Sequence, residues 1–323
     1  MTPEREQLRD ALVARLGGRA PADAWQALCD AGVTALRVPE GYGGLGLPAI
    51  EAEPVFDALG ALCLPTAYLD TAIVAAGLLA RIDDADGAIA RRIAEGARVA
   101  VTGLEPLLAS DVVATPAGDG WTLSGTARIV VGGMDAEALL VIAGDALYLA
   151  GDDWAAARHP VPTIDGQMAA DITLDGVSAT RCAAGIAGAV EAVRDEAVAA
   201  LCIEAAALMR RLVRDTVDFA RQREQFGQAI GSFQVVQHRL VDMNIQALDQ
   251  PDKVRGRAVS AAKVTIARAG RFVGQNAVQL HGGMGMTEEL PISRLFKRLT
   301  VIEGQLGSAD AHMRRFDRLR DAA

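Results

Sequence analysis

Cysteine is scarce and scattered: Cys29, Cys63, Cys182 and Cys202 form no Cys-x-x-Cys pair and have no histidine at ligand spacing. That argues against a zinc site and a disulfide framework, and it fits a chain working in a reducing cytoplasm. No apolar run reaches the roughly 18 residues that a transmembrane helix needs, so no membrane span is expected. Residues 1–20 carry Glu4, Arg5, Glu6, Arg9 and Asp10 among their apolar positions, which is not the pattern of a secretory signal. A soluble, cytoplasmic protein is expected. An excess of positive charge is missing too. The net charge of −9 provides no overall field to neutralise phosphates, which argues against nucleic acid as a partner. Basic residues do gather at Arg294, Lys297 and Arg298 and again at Arg314, Arg315, Arg318 and Arg320; these read as solvated helix faces. There is no internal repeat and no low-complexity tract.

What is present is a change of texture along the chain. At 323 residues the protein is long enough for a large core and for two or three subdomains. Residues 1–98 read as a helical domain: Leu8, Leu12 and Leu16, then Trp25, Leu28 and Val33, then Val55, Leu59 and Leu62 recur at helical spacing, as do Ile73 through Leu79. The glycine-rich stretch Val38-Pro39-Glu40-Gly41-Tyr42-Gly43-Gly44-Leu45-Gly46 interrupts them. Residues 99–186 carry short β-branched runs such as Val99–Thr102, Ile129–Val131 and Ala138–Ala143, which predict an antiparallel β-domain with turns at Asp119-Gly120 and Gly132-Gly133. Residues 187–323 return to helical periodicity, with Val198, Leu201, Ala205, Leu208, Leu212 and Val217 on one long helix. Pro251 marks a break before the next helix, and Ser293 after Pro291 is a candidate cap for the last. The fold class is mainly α with a central β-domain, closing on an alanine-rich bundle of about four helices.

Two segments of the helical part carry the chemistry. Arg221-Gln-Arg-Glu-Gln-Phe-Gly-Gln228 is followed by Phe233-Gln234 and then by Gln279-Leu-His-Gly-Gly-Met-Gly285. This pair, in this order, resembles the flavin-binding signatures of the acyl-CoA dehydrogenase family; the short chain, with Leu306 to His312 in place of the family's usual turn, resembles its short subunits from bacterial steroid side-chain breakdown. The physical content agrees: a guanidinium at Arg223 suits a pyrophosphate, Phe226 can pack on an adenine or flavin edge, and glycines let backbone approach an anion closely. The resemblance implies the family's three-part fold and FAD as cofactor. It implies cofactor contacts from Arg223, Gln225, Phe226, Phe233, Gln234, Gln279, Leu280, His281, Gly282 and Gly283 to a flavin shared with a neighbouring subunit. It further implies an acyl-CoA substrate, a homo- or hetero-oligomer, and an electron-transfer flavoprotein as electron acceptor. No metal is expected.

In the resembling family a carboxylate removes the α-proton of the thioester while the β-hydrogen leaves as hydride to the flavin. Here Ile302-Glu303-Gly304 resembles the turn that carries that base, which makes Glu303 the candidate. It arrives about one helical turn early, and counting from Gly283 the usual slot falls on Leu306. Some relatives carry the base on the first bundle helix instead; there the chain has Asp195 and Glu196 beside Ala197-Val198. The ring-side segments also depart from the pattern. Leu104-Glu105-Pro106 stands for the usual Thr-Glu-Pro, Ala109 for a glycine, and Ile129-Val-Val-Gly-Gly133 for Trp-Ile-Thr-Asn-Gly. Two readings result: an active dehydrogenase using Glu303, or a partner subunit that completes the flavin site of a different, base-bearing chain.

Overall fold

A computed structural model of the protein describes residues 2–82, 87–104, 110–225, 228–229, 256–287 and 289–321. Helices α1 (Pro3–Leu16), α2 (Pro21–Asp30) and α3 (Glu53–Leu62) precede a π-helix at Leu69–Ala75, which continues as α4 (Ala76–Leu79), followed by α5 (Ala88–Ala94). Strands β1 (Val99–Thr102), β2 (Val113–Ala117), β3 (Gly120–Val131), β4 (Ala138–Ala143), β5 (Ala146–Ala150), β6 (Arg158–Pro162) and β7 (Met168–Ala184) come next. Then follow the long α6 (Ala187–Gln222), a short pair β8 (Glu224–Gln225) and β9 (Gln228–Ala229), α7 (Arg257–His281), α8 (Pro291–Gly304) and α9 (Ala309–Asp321). Helices outside and strands in the middle match the fold class read from the sequence. By packing, the chain forms two compact units, one of Met1–Ala14, Pro54–Leu64 and Val198–Ala323, the other of Arg15–Glu53 and Pro65–Ala197.

The sheet of the second unit runs β1-β4-β5-β7-β3-β2, with β6 also paired to β7. Every pair is antiparallel except β1 with β4, so the sheet is mixed. A parallel pair needs a long crossover, and the chain from Thr102 to Ala138 supplies it. The first hairpin turns at Gly118-Asp119, since Ala117 pairs with Gly120, one residue ahead of the expected turn. Gly132-Gly133 does close a turn, with Gly133 N–H bonded to Val130 O, but β3 has β2 and β7 as neighbours, so no hairpin forms there. Leu123, Leu139, Val141, Tyr148, Trp154 and Ile172 fill the core beneath the sheet. Strands β1, β4 and β5 are buried at nearly every residue and read as continuous apolar runs, whereas β7 alternates buried and exposed positions over part of its length.

The π-helix is held from several sides. Tyr68 Oη donates to Val33 O (2.8 Å), and Arg37 Nη1 donates to Ile73 O (3.0 Å). Thr71 Oγ1 donates to Val99 O (3.1 Å) and accepts from Val99 N–H (3.0 Å), tying the element to the start of β1. Such wide turns are rare because they cost backbone geometry, and they persist where outside partners fix them.

In the first unit, Glu204 of α6 and Arg298 of α8 form a buried fork, Nε to Oε1 at 2.6 Å and Nη2 to Oε2 at 2.9 Å. Lys263 of α7 is fully buried and donates to the carbonyls of Ile302 and Gln305, at the end of α8, where helix carbonyls lack partners. Helix α8 starts at Pro291 with Leu290 as its cap, so Ser293 lies in the first turn, buried, and does not cap it. Proline takes the first helical position because its missing N–H would have no partner there. No described helix is long and apolar enough to cross a membrane.

Candidate functional site

The signature residues of the C-terminal unit cluster at two helix ends. Arg223 follows α6 directly: its N–H closes the last turn on Phe219 O (2.8 Å), and its side chain is exposed. Gln225 lies in β8, paired with Gln228. Phe226, Phe233 and Gln234 lie outside the described residues. Gln279, Leu280 and His281 form the last turn of α7; Gln279 is exposed, Leu280 half-buried and His281 buried. Gly282 ends that helix at φ +59° and ψ −141°, a region that only glycine visits freely. A Cβ added at Gly282 or Gly283 would meet nothing within 4 Å, so the backbone there is open to an approaching group. Gly285 differs: its Cβ would sit 2.9 Å from Val278 O, and the turn folds back onto α7 only because it has none.

One residue that sequence reasoning missed joins the two helix ends. The Phe219 ring stacks on the His281 ring, centroids 4.1 Å apart and planes inclined by 27°. His281 Nδ1 lies 2.8 Å from Ala277 O, which makes it the protonated nitrogen, donating to the carbonyl. Burial lowers the pKa of this imidazole, with the Ala277 carbonyl and Asp215 opposing, so the ring is neutral near pH 7. The sequence held a faint signal, since Phe219 precedes Arg223 by one helical turn. No spacing rule pairs position 219 with position 281.

Each candidate carboxylate with a described partner is engaged by arginine. Glu303, in the last turn of α8, receives Arg271 of α7 at both oxygens: Nη2 meets Oε1, and Nε lies 3.4 Å from Oε2. Leu306, in the family's usual slot, is buried at φ +57°, with its carbonyl 3.1 Å from His312 Nε2. Its side chain has no atom that accepts a proton. In the other unit, Glu196 sits between Arg37 Nη1 (2.8 Å) and Arg81 Nη2 (2.7 Å). Asp195 beside it is half-buried, and Ala197 is fully buried.

The ring-side positions of the second unit are apolar. Leu104 is buried, and its carbonyl accepts from Arg194 Nε (3.2 Å) and Nη2 (3.1 Å). Ile129 sits at a bulge of β3 with φ +51°, its N–H donating to Asp171 Oδ1 (2.8 Å) and its side chain 37 % exposed. A β-branched residue at positive φ is a strained choice. Val131 is half-buried, and residues 105–109 lie outside the described ones. The fit to a flavin is therefore divided. The exposed side chains of Arg223 and Gln279 offer donors that suit a pyrophosphate, and Gly282-Gly283 leave it room to approach. Leu104, Ile129 and Val131 offer neither hydrogen-bond donors nor an aromatic plane to the ring.

The comparisons agree with this architecture. Residues 4–82 match the family model of the acyl-CoA dehydrogenase N-terminal domain, and residues 183–248 and 246–318 match that of its C-terminal domain. The chain belongs to the acyl-CoA dehydrogenase family. It is 31 % identical to acyl-CoA dehydrogenase FadE27 of Mycobacterium tuberculosis, over 98 % of this chain and 92 % of that protein. It is 26 % identical to acyl-CoA dehydrogenase IpdE2 of Mycolicibacterium smegmatis, over 98 % and 99 %. Among solved structures, a variant of the Tcur3481-Tcur3483 steroid ACAD superposes with a TM-score of 0.85 at 27 % identity, covering 99 % of this chain and 97 % of that one. The ChsE4-ChsE5 complex of Mycobacterium tuberculosis superposes equally well, TM-score 0.85 at 24 % identity, covering 100 % and 98 %.

Proposed function

We propose that the chain is one subunit of a hetero-oligomeric, FAD-dependent acyl-CoA dehydrogenase acting on a steroid-derived thioester. In this reading it contributes the pyrophosphate side of a flavin site through Arg223, Gln225, Phe226, Phe233, Gln234 and residues 279–283, and a related subunit contributes the ring side and the base. The carrying observation is that both candidate glutamates, Glu303 and Glu196, are already held by arginines. The guanidinium N–H groups take up lone pairs that a base would offer to a proton, and the side chain of Leu306 has no acceptor at all. The divided fit of the cofactor positions points the same way. So does similarity to a steroid ACAD whose name joins two chains.

When bound, the flavin would supply the hydride acceptor that no side chain can supply. The chain's own part is to bind and orient. Arg223 offers planar donors to phosphate oxygens, and the Gly282 and Gly283 backbone gives them close approach. An electron-transfer flavoprotein would then reoxidise the assembly in a reducing cytoplasm, where the free thiols of Cys29, Cys63, Cys182 and Cys202 are at home. Co-expression with a related, base-bearing subunit tests the assignment. Stoichiometric flavin and turnover are expected from the assembly, and little of either from this chain alone.

A second reading makes Glu303 the chain's own base. It is favoured by the exposure of its partner, since Arg271 is 62 % exposed and a solvated pair opens readily. Single-turnover flavin bleaching by acyl-CoA separates the two. Glu303→Gln should leave bleaching unchanged in the hetero-oligomer; a loss of several decades with fold and flavin retained would install Glu303 as the base.

A further inference from the structure

The two signature segments lie more than fifty residues apart in sequence, and the Phe219–His281 stack joins their helix ends, with Asp215 of α6 also acting on the imidazole. Phe219 stands one turn before Arg223, and Arg223 N–H is bonded to its carbonyl. His281 immediately precedes Gly282, and its ring is held in place by its own helix through Ala277 O. Both rings belong to helix C-termini, whose exposed carbonyls carry partial negative charge. An anion bound there is repelled by two helix ends, so its affinity depends on where the guanidinium and the uncrowded glycine backbone stand relative to one another.

We propose that Phe219 and His281 are positioning residues: their stack sets the spacing between Arg223 and the Gln279–Gly283 segment, pre-organising a cradle for the diphosphate of a dinucleotide cofactor. The inference rests on the flavin reading given above. His281 is buried, which leaves Arg223, Gln279 and the glycine backbone to make the contacts. The stack lowers the cost of binding, because the helix ends need not be brought into register when the ligand arrives.

A double-mutant cycle tests this, with FAD as the probe. FAD is titrated into the full chain, together with any co-purified subunit, and read by flavin fluorescence anisotropy alongside thermal unfolding. Arg223→Ala is expected to weaken binding by roughly ten- to a hundredfold. Phe219→Leu should weaken it by roughly three- to tenfold, the scale of an aromatic pair, and Phe219→Tyr should keep wild-type affinity. The double variant Phe219→Leu with Arg223→Ala should bind no more weakly than Arg223→Ala alone, because the ring acts through the guanidinium. Multiplicative losses would overturn the proposal, as would a lowered melting temperature with affinity unchanged. If Phe219→Leu does not fold, His281→Gln removes the other ring and is judged by the same cycle. If wild type binds FAD and Arg223→Ala makes no difference, the flavin reading falls and this inference with it; a Phe219 effect without coupling removes the inference alone.

Discussion

His281 is a titrating group at a place where the fold depends on its neutrality. Its ordinary pKa of 6.5 is lowered chiefly by burial, against the pull of the Ala277 carbonyl and Asp215. The unfolded chain therefore binds this proton more readily than the folded one. Stability is full above the unfolded value and declines as pH falls from 6.5 toward the folded value. Urea midpoints measured from pH 7.5 down to about 5 should fall more steeply in wild type than in His281→Phe, which keeps a ring against Phe219 and loses the proton. Equal slopes would remove His281 from the account. At this scale the sequence was informative where a residue type names its chemistry, as Arg223 and Gly282 do. It was silent where meaning comes from a partner. Nothing in Glu303 or Glu196 announces Arg271 or Arg37, since those pairings are made across 32 and 159 residues of chain and only the fold brings them together.

Among the elements, the π-helix makes the clearest demand. Thr71 is fully buried and satisfies both backbone groups of Val99, the first residue of β1. Thr71→Val keeps the shape and deletes both bonds, leaving a buried N–H and C=O without their partner. The expected cost is about 2–4 kcal/mol in chemical denaturation, together with faster amide exchange at Val99. A cost below about 0.5 kcal/mol would mean that β1 is held by β4 alone. The strands were readable as short β-branched runs between glycine turns, and the helices because their apolar stripes recur at helical spacing. The π-turn was not: the run from Ile73 to Leu79 has ordinary helical periodicity, and the wide turn is held from outside by Arg37 and by Val99 through Thr71. The parallel pairing of β1 with β4 was likewise hidden, since it depends on the route of a connection and leaves no mark in either strand. The bulge at Ile129 follows the same logic. Its backbone is set by Asp171 on the neighbouring strand, against the preference of its own side chain.

For the whole molecule, the proposed function requires more than one chain, and mass measured together with flavin content is the direct check. Light scattering of the purified assembly should give an oligomer, with flavin lost on dilution to monomer; a monodisperse monomer retaining stoichiometric FAD would be incompatible with a shared site. The three-part order of helices, strands and helices was legible in the apolar spacing and the β-branched runs. The packing division was not, because it assigns Pro54–Leu64 to the same unit as Val198–Ala323, across more than a hundred residues. Helix α6 gives that division a thermodynamic meaning. It is 36 residues long, a rod of about 54 Å, and the seam between Ala197 and Val198 falls inside it with no break in its hydrogen bonding. Unfolding either unit alone would cut this shared helix short and forfeit its cooperative propagation. Melting therefore belongs to the chain as a whole: a single calorimetric transition, with no autonomous fragment obtained by cutting at the seam.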